Sequence, residues 1–186
     1  MIENVGRRSC TWDEEGAPTD VGDASLNGYE RNALFRGDGA GRFEDVAHLA
    51  GANRTEDGRA VAVADFDRDG RLDLVVQSLN KPAVLLMGKG DVGHWLQVEL
   101  EGAGANPDAL GATVIAQVAH RRQTRQVVVG SGFLSSSSPV LHFGLGEAER
   151  VDALEIRWPS GRRQVLRDIA AGQRLTVREQ APLAKQ

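Results

Sequence analysis

The sequence predicts an all-β chain made of two successive units, and three observations carry that reading. Short, apolar, partly alternating runs recur along the chain, set apart by Gly, Pro and Asn turns. Helical periodicity is lacking throughout the second half. Glycine is heavy, at 22 of 186 residues, which suits many turns between many short strands. The division in two follows from charge and composition. Residues 1–94 hold 17 acids against 11 Lys/Arg, and residues 95–186 hold 9 against 11. The halves therefore stand near −6 and +2 within a net charge of −4, and the composition changes at Lys89–Gly93.

Residues 1–29 are polar, with Trp12 the largest apolar group among many small or charged ones, and read as an arm or loop. Asp13, Glu14, Glu15, Asp20 and Asp23 match no single cation loop by spacing. The first unit, residues 30–90, opens with a strand over Ala33–Arg36, a turn over Gly37–Gly41 and a return over Arg42–Val46. Asp38 reads as a turn residue and His48 as a surface or structural histidine. Glu56–Gly58 turns the chain into a strand over Arg59–Asp65. Strands follow at Leu72–Val76 and, beyond the turn Gln77–Pro82, at Ala83–Met87.

The second unit, residues 95–179, alternates from its start at Trp95–Leu100. Further strands are expected at Gly111–Val118, Thr124–Val129, Val140–Gly144, Val151–Trp158 and Gln173–Arg178, with a short one at Val165–Leu166. Regular short strands of this kind predict a small antiparallel β-sandwich. Pro159 ends the strand before it, because proline cannot donate to a ladder. Residues 180–186 read as a tail.

The most specific stretch is Asp65-Phe-Asp67-Arg-Asp69-Gly70-Arg71-Leu-Asp73. Its carboxylates fall at positions 1, 3, 5 and 9 of one short loop, and Gly70 stands at position 6, where the chain must turn sharply. Arg71, at position 7, offers its backbone carbonyl. Turn preference explains Asp and Gly singly but not four Asp in this register, and four like charges are costly without a counter-ion. An empty, solvated acidic turn screened by Arg68 and Arg71 is the alternative. The donors are all oxygen, which points to a hard cation and away from zinc or copper. The flanks are strand-like and position 12 is Val76, so this is no EF-hand, whose loop lies between helices and closes on a Glu. The expectation is a strand–loop–strand Ca2+ site with Asp65, Asp67, Asp69, Arg71 and Asp73 as ligands.

Other classes are weighed against the same residues. The basic balance of the second half is too weak for nucleic-acid binding. Cys10 is the only cysteine, so no intramolecular disulfide can form. No run resembles the apolar core of a signal peptide or approaches membrane-spanning length, which taken alone favours the cytoplasm. Ser131 and Ser135–Ser138 near His142 invite a nucleophile–base reading, but no orienting acid and no strand–turn–helix elbow accompanies them. Arg121, Arg122 and Arg125, with Arg162 and Arg163, form a candidate basic patch for the acidic first half or an acidic partner. On a regular strand Arg122 and Thr124 share one face and Arg121, Gln123 and Arg125 the other, and a solvated face is the alternative.

Two resemblances follow from these residues. The run Asn32-Ala-Leu34-Phe35-Arg-Gly-Asp38-Gly-Ala-Gly41-Arg-Phe43-Glu-Asp45-Val46, with the Asp65–Asp73 loop, resembles an FG-GAP/VCBS repeat, the blade unit of integrin-like β-propellers. Residues 95–179 resemble the ASPIC/UnbV domain of the cartilage-acidic-protein-like family. The matching stretches are Asn106–Ala112, Arg122–Gln126, Gly130–Ser135, Leu141–Gly146 and Val151–Arg162. The first resemblance implies Ca2+ binding by the loop, and the pair implies an extracytoplasmic setting. Neither implies a catalytic residue. A propeller closes with about 4–8 blades, and residues 30–90 supply little more than one. The expectation is thus either the C-terminal piece of a longer chain or a single blade covered by other means. A calcium-stabilised, non-enzymatic interaction or assembly module, an accessory subunit that associates with a partner or a second copy through residues 30–90, is the leading function. A carbohydrate or polar-ligand binder is the alternative, and an enzyme the third.

Overall fold

The computed structural model describes residues 29–90 and 93–180. The polar arm, with Cys10, Trp12 and the acids Asp13 to Asp23, lies outside the described residues, as does the chain beyond Gln180. The fold is all-β, with twelve strands among the described residues. These are β1 (Phe35–Gly37), β2 (Phe43–Asp45), β3 (Gly58–Ala64), β4 (Asp73–Ser78), β5 (Val84–Leu86) and β6 (His94–Glu101). Then come β7 (Thr113–Val118), β8 (Arg121–Gln126), β9 (Leu141–Gly146), β10 (Arg150–Arg157), β11 (Arg163–Ala170) and β12 (Gln173–Arg178). No closed propeller forms among the described residues, and none of them lies in a helix long and apolar enough to cross a membrane.

The chain divides into two compact units, Met1–Val61 with Val75–Leu86, and Ala62–Leu74 with Met87–Gln186. In the first unit β1 and β2 pair antiparallel, Phe35 opposite Asp45 and Gly37 opposite Phe43. Asp38 makes the turn between them: its Oδ1 accepts the N–H groups of Ala40 at 2.7 Å and Arg42 at 3.1 Å. Asp45 Oδ1 accepts from Ala47 N at 2.9 Å and Leu34 N at 3.2 Å. Those bonds hold the Asp45 carboxyl below its ordinary range, because they favour the ionised form. The strands β3, β4 and β5 form a sheet in chain order, and the division between units falls within β3 and β4. Buried apolar side chains in the first unit are confined to Ala47 and Ala52 among the described residues.

The second unit holds two sheets, ordered β11-β10-β7-β8 and β12-β6-β9. Alternation places one face of each in a single hydrophobic cluster. Leu96, Val98 and Leu100 of β6 and Leu141, Phe143 and Leu145 of β9 meet Val114, Ala116 and Val118 of β7 and Leu154 and Ile156 of β10. Three ladders of the first sheet are antiparallel, as is β6 with β9. The β6–β12 ladder is parallel, Leu96 opposite Gln173 and Leu100 opposite Val177. That departs from the all-antiparallel expectation: β11 and β12 lie in different sheets, so no hairpin forces β12 antiparallel to the strand it pairs with.

Two strands differ most from their expected bounds, and both are sheet edges. β8 covers Arg121–Gln126 rather than Thr124–Val129, and β11 runs eight residues rather than two. Each is mostly exposed, so its polar residues carry little of the alternation that marks an inner strand. Val127 still contributes to the core, its N–H donating to the Ala112 carbonyl at 2.9 Å, whereas Val128 and Val129 are exposed.

Candidate metal centre

The loop between β3 and β4 is shaped by its own aspartates. Asp65 Oδ1 accepts the Asp69 N–H at 3.1 Å, and its Oδ2 accepts the Gly70 N–H at 2.9 Å. Asp67 Oδ1 accepts from Asp69 N at 3.2 Å, and Asp69 Oδ1 from Arg71 N at 2.8 Å. Short acidic side chains bonded to backbone amides two to five residues on wind the chain tightly. Arg68 (φ 64°) and Gly70 (φ 88°) take the left-handed conformations this winding needs. Asp73, at the start of β4, is only 1% exposed. Its Oδ2 accepts from Phe66 N at 2.8 Å and its Oδ1 from Gly88 N at 2.7 Å, so the carboxylate ties both ends of the loop to the following strand connection.

One carboxylate oxygen each from Asp65, Asp67 and Asp73 lies within 4.8 Å of the others. Two oxygens on opposite sides of a cation at about 2.4 Å stand about 4.8 Å apart, so the trio fits around one divalent ion. An all-carboxylate set suits hard cations. Three acids so close, one of them buried, also call for a counter-charge.

Asp69 stands apart from the trio. Its Oδ2 pairs with the Arg71 guanidinium at 2.6 Å, and the Arg71 N–H together with that charge lowers the Asp69 carboxyl from its ordinary value. Arg71 also donates to the Gly90 carbonyl at 3.0 Å.

Residues that sequence reasoning missed hold the loop from outside. Trp95 and Gln97 lie two apart on β6, and His142 on β9 is the direct cross-strand partner of Gln97. They share the face of the β12-β6-β9 sheet opposite its core. Gln97, only 4% exposed, donates from Nε2 to Asp65 Oδ2 at 2.5 Å. His142 Nε2 donates to the Gly70 carbonyl at 2.8 Å, which fixes the proton on that nitrogen, and its ring stacks on Trp95 at 6.4 Å and 15°. A Cβ on Gly70 would lie 1.9 Å from Trp95 Nε1. Alternation puts Trp95 and Gln97 on the face of β6 away from Leu96 and Val98, which from sequence reads as solvated.

The five candidate arginines do not gather on one face. Register places Arg122 on the outer face of the β11-β10-β7-β8 sheet, in line with Gln117 and Ala153. Arg163 shares that face and pairs with Glu155 at 3.0 Å; both it and Arg122 help lower the Glu155 carboxyl, after the larger effect of Arg157. Arg121 and Arg125 alternate to the other side, where Arg125 lies over the Phe143 ring at 5.7 Å. Arg162 donates to the Gln180 carbonyl.

Three hydroxyl oxygens of the serine loop accept from backbone. Ser136 Oγ accepts from Gly130 N at 3.3 Å, Ser137 Oγ from Val63 N at 3.2 Å and Ser138 Oγ from Val140 N at 3.2 Å. Ser135 Oγ is buried without a hydrogen-bond partner. A cavity of about 270 Å³ opens beside the metal loop, with Asp65, Gln97, Arg125, Ser137, His142 and Arg174 in its wall.

Both parts of the chain match known families. Residues 21–76 match the FG-GAP-like repeat and residues 102–184 match the ASPIC and UnbV family. Cartilage acidic protein 1 of Xenopus tropicalis is 32% identical over 158 residues, covering 75% of this chain and 24% of that protein. The Homo sapiens protein of the same name is 34% identical over 127 residues, covering 66% of this chain and 19% of its own length. The chain thus spans about a fifth to a quarter of the relatives it matches. It carries an ASPIC/UnbV domain preceded by an FG-GAP-like repeat, and through that pair it is homologous to the cartilage acidic protein 1 family.

Proposed function

We propose that the chain is a calcium-stabilised, non-enzymatic interaction module. Residues 30–90 form one propeller-blade-like repeat and residues 95–179 a small β-sandwich. The observation that carries the reading is the convergence of Asp65, Asp67 and Asp73 within 4.8 Å. In it these three hold one Ca2+, with Asp69, the Arg71 carbonyl and water completing the oxygen shell. Calcium suits a spread of this size better than magnesium, whose ligands sit at about 2.0–2.1 Å in near-ideal octahedra. Asp67→Ala removes a carboxylate with a single backbone bond. It is expected to weaken ion binding and loosen residues 60–76 first while the core of the second unit stays folded. Calcium titration alongside hydrogen exchange checks both halves of that expectation.

The interaction role rests on what the first unit leaves uncovered. It buries Ala47 and Ala52, yet Phe35, Phe43 and Leu49 are 63%, 72% and 75% exposed. A unit this small with so little core gains by seating that surface on another chain. Either a propeller-bearing partner or a second copy fits through residues 30–90. Light scattering across concentration, with and without chelator, tests it together with mass spectrometry of co-purifying proteins. Calcium-dependent association is expected; a monodisperse monomer at high concentration with no specific co-purifying protein contradicts it.

The non-enzymatic reading is supported by the Ser136, Ser137 and Ser138 hydroxyl oxygens accepting backbone N–H groups and by His142 donating to Gly70 rather than to a serine. No ester, phosphate or glycoside turnover sensitive to Ser135→Ala or His142→Ala is expected in a substrate screen. A second reading, a binder of carbohydrate or another polar ligand, is favoured by the 270 Å³ cavity and its Arg125, Arg174 and Ser137 wall.

A further inference from the structure

We infer that Gln97 and His142, seated on the sheet that follows the metal loop in sequence, are positioning residues of the metal centre, and that Trp95 is the plate on which the loop rests. The inference rests on the reading of the Asp65–Asp73 loop as a calcium site. Asp65 Oδ2 is held from two directions, by the Gly70 N–H at 2.9 Å and by Gln97 Nε2 at 2.5 Å. Gly70 is itself held at three points. Its N–H goes to Asp65, its carbonyl to His142 Nε2 at 2.8 Å, and its Cα lies so close beneath Trp95 that a Cβ would stand 1.9 Å from the indole nitrogen. Gln97 and His142 are opposite one another in the β6–β9 ladder, so one rung of the sheet aims two donors at the same turn.

A carboxylate that must meet an ion at a fixed place loses less freedom on binding when its second oxygen is already oriented. Groups bonded to metal ligands in this way commonly alter affinity by 10–100-fold when removed. Linkage is reciprocal: if the sheet face orients the loop, the bound ion stabilises that sheet. The Ser137 Oγ and Ser138 N–H contacts to Val63 fasten the strand leading into the loop to the same unit.

The test uses the full chain and calcium alone. Gln97→Met keeps length and loses the donor; His142→Phe keeps a ring against Trp95 and loses the Nε2–H. Calcium affinity is read by competition with a fluorescent chelator, well below the unfolding temperature, with circular dichroism as the check on folding. Each variant is expected to bind roughly tenfold more weakly or worse, to show a smaller calcium-induced rise in unfolding midpoint, and to exchange the Asp69 and Gly70 amides faster. His142→Gln, which restores an N–H donor, is expected to recover part of the affinity and serves if the ring replacement fails to fold. Wild-type binding with unchanged affinity in the folded variants overturns the inference and leaves the calcium site standing. No binding by the wild-type chain removes the calcium reading itself, and the positioning role with it.

Discussion

Replacing Gly70 with alanine is expected to eliminate measurable calcium binding at micromolar protein and to destabilise the second unit by about 3 kcal/mol. Two separate effects add. A residue with a Cβ is strained at φ 88°, at about 1–2 kcal/mol. The added methyl also collides with Trp95, 1.9 Å from its Nε1, and overpacking of this kind costs about 1–3 kcal/mol. Relief requires the indole to swing away, which breaks its stack on His142 and loosens the His142–Gly70 bond. Chemical denaturation and calcium titration of the variant measure the two consequences separately. Near-wild-type values of both would mean that Trp95 and the loop are not packed together.

Phe143→Ala is the second large effect, and it acts on the core rather than the metal. Phe143 is fully buried on β9 among side chains of both sheets. Truncating a buried Phe costs about 3–5 kcal/mol through lost transfer energy and the cavity left behind. The loss also removes the ring beneath the Arg125 guanidinium, 5.7 Å away. Against total stabilities of about 5–15 kcal/mol, such a change lowers the denaturation midpoint sharply. His142 faces the other side of the same strand, so calcium affinity of the folded fraction is expected to fall much less than in the His142 variants. That contrast separates the two faces of β9.

Much of the fold was legible because inner strands write their burial into alternation. Leu96-Gln97-Val98-Glu99-Leu100 reads as β6 without any structure, and the same holds for β7 and β10. The mostly exposed, polar edge strands β8 and β11 do not, which is why β8 was displaced along the chain and β11 shortened to Val165-Leu166. The parallel pairing of β12 with β6 was also out of reach, since alternation says which face a residue takes but not which neighbour a strand chooses.

The acidic loop was legible for a different reason: its carboxylates are local, within nine residues from Asp65 to Asp73, with Gly70 in register. Local pattern did not show that Asp69 has a partner two residues away in Arg71, with which it pairs. The supports of the loop were invisible. Gln97 is 32 residues from Asp65, and His142 is 72 from Gly70; nothing in either neighbourhood distinguishes them from solvated sheet residues. The arginines show the converse. Neighbours in sequence, Arg121 and Arg122 are sent to opposite faces by the two-residue period of β8.

Calorimetric titration of the chelator-stripped chain with calcium tests the central claim most directly. One ion per chain is expected, with a weaker or absent response to magnesium, and with the heat lost when Asp67 or Asp73 is replaced by alanine. No calcium heat from folded wild-type protein, together with no ion among Asp65, Asp67 and Asp73 in crystals soaked in calcium, contradicts the account.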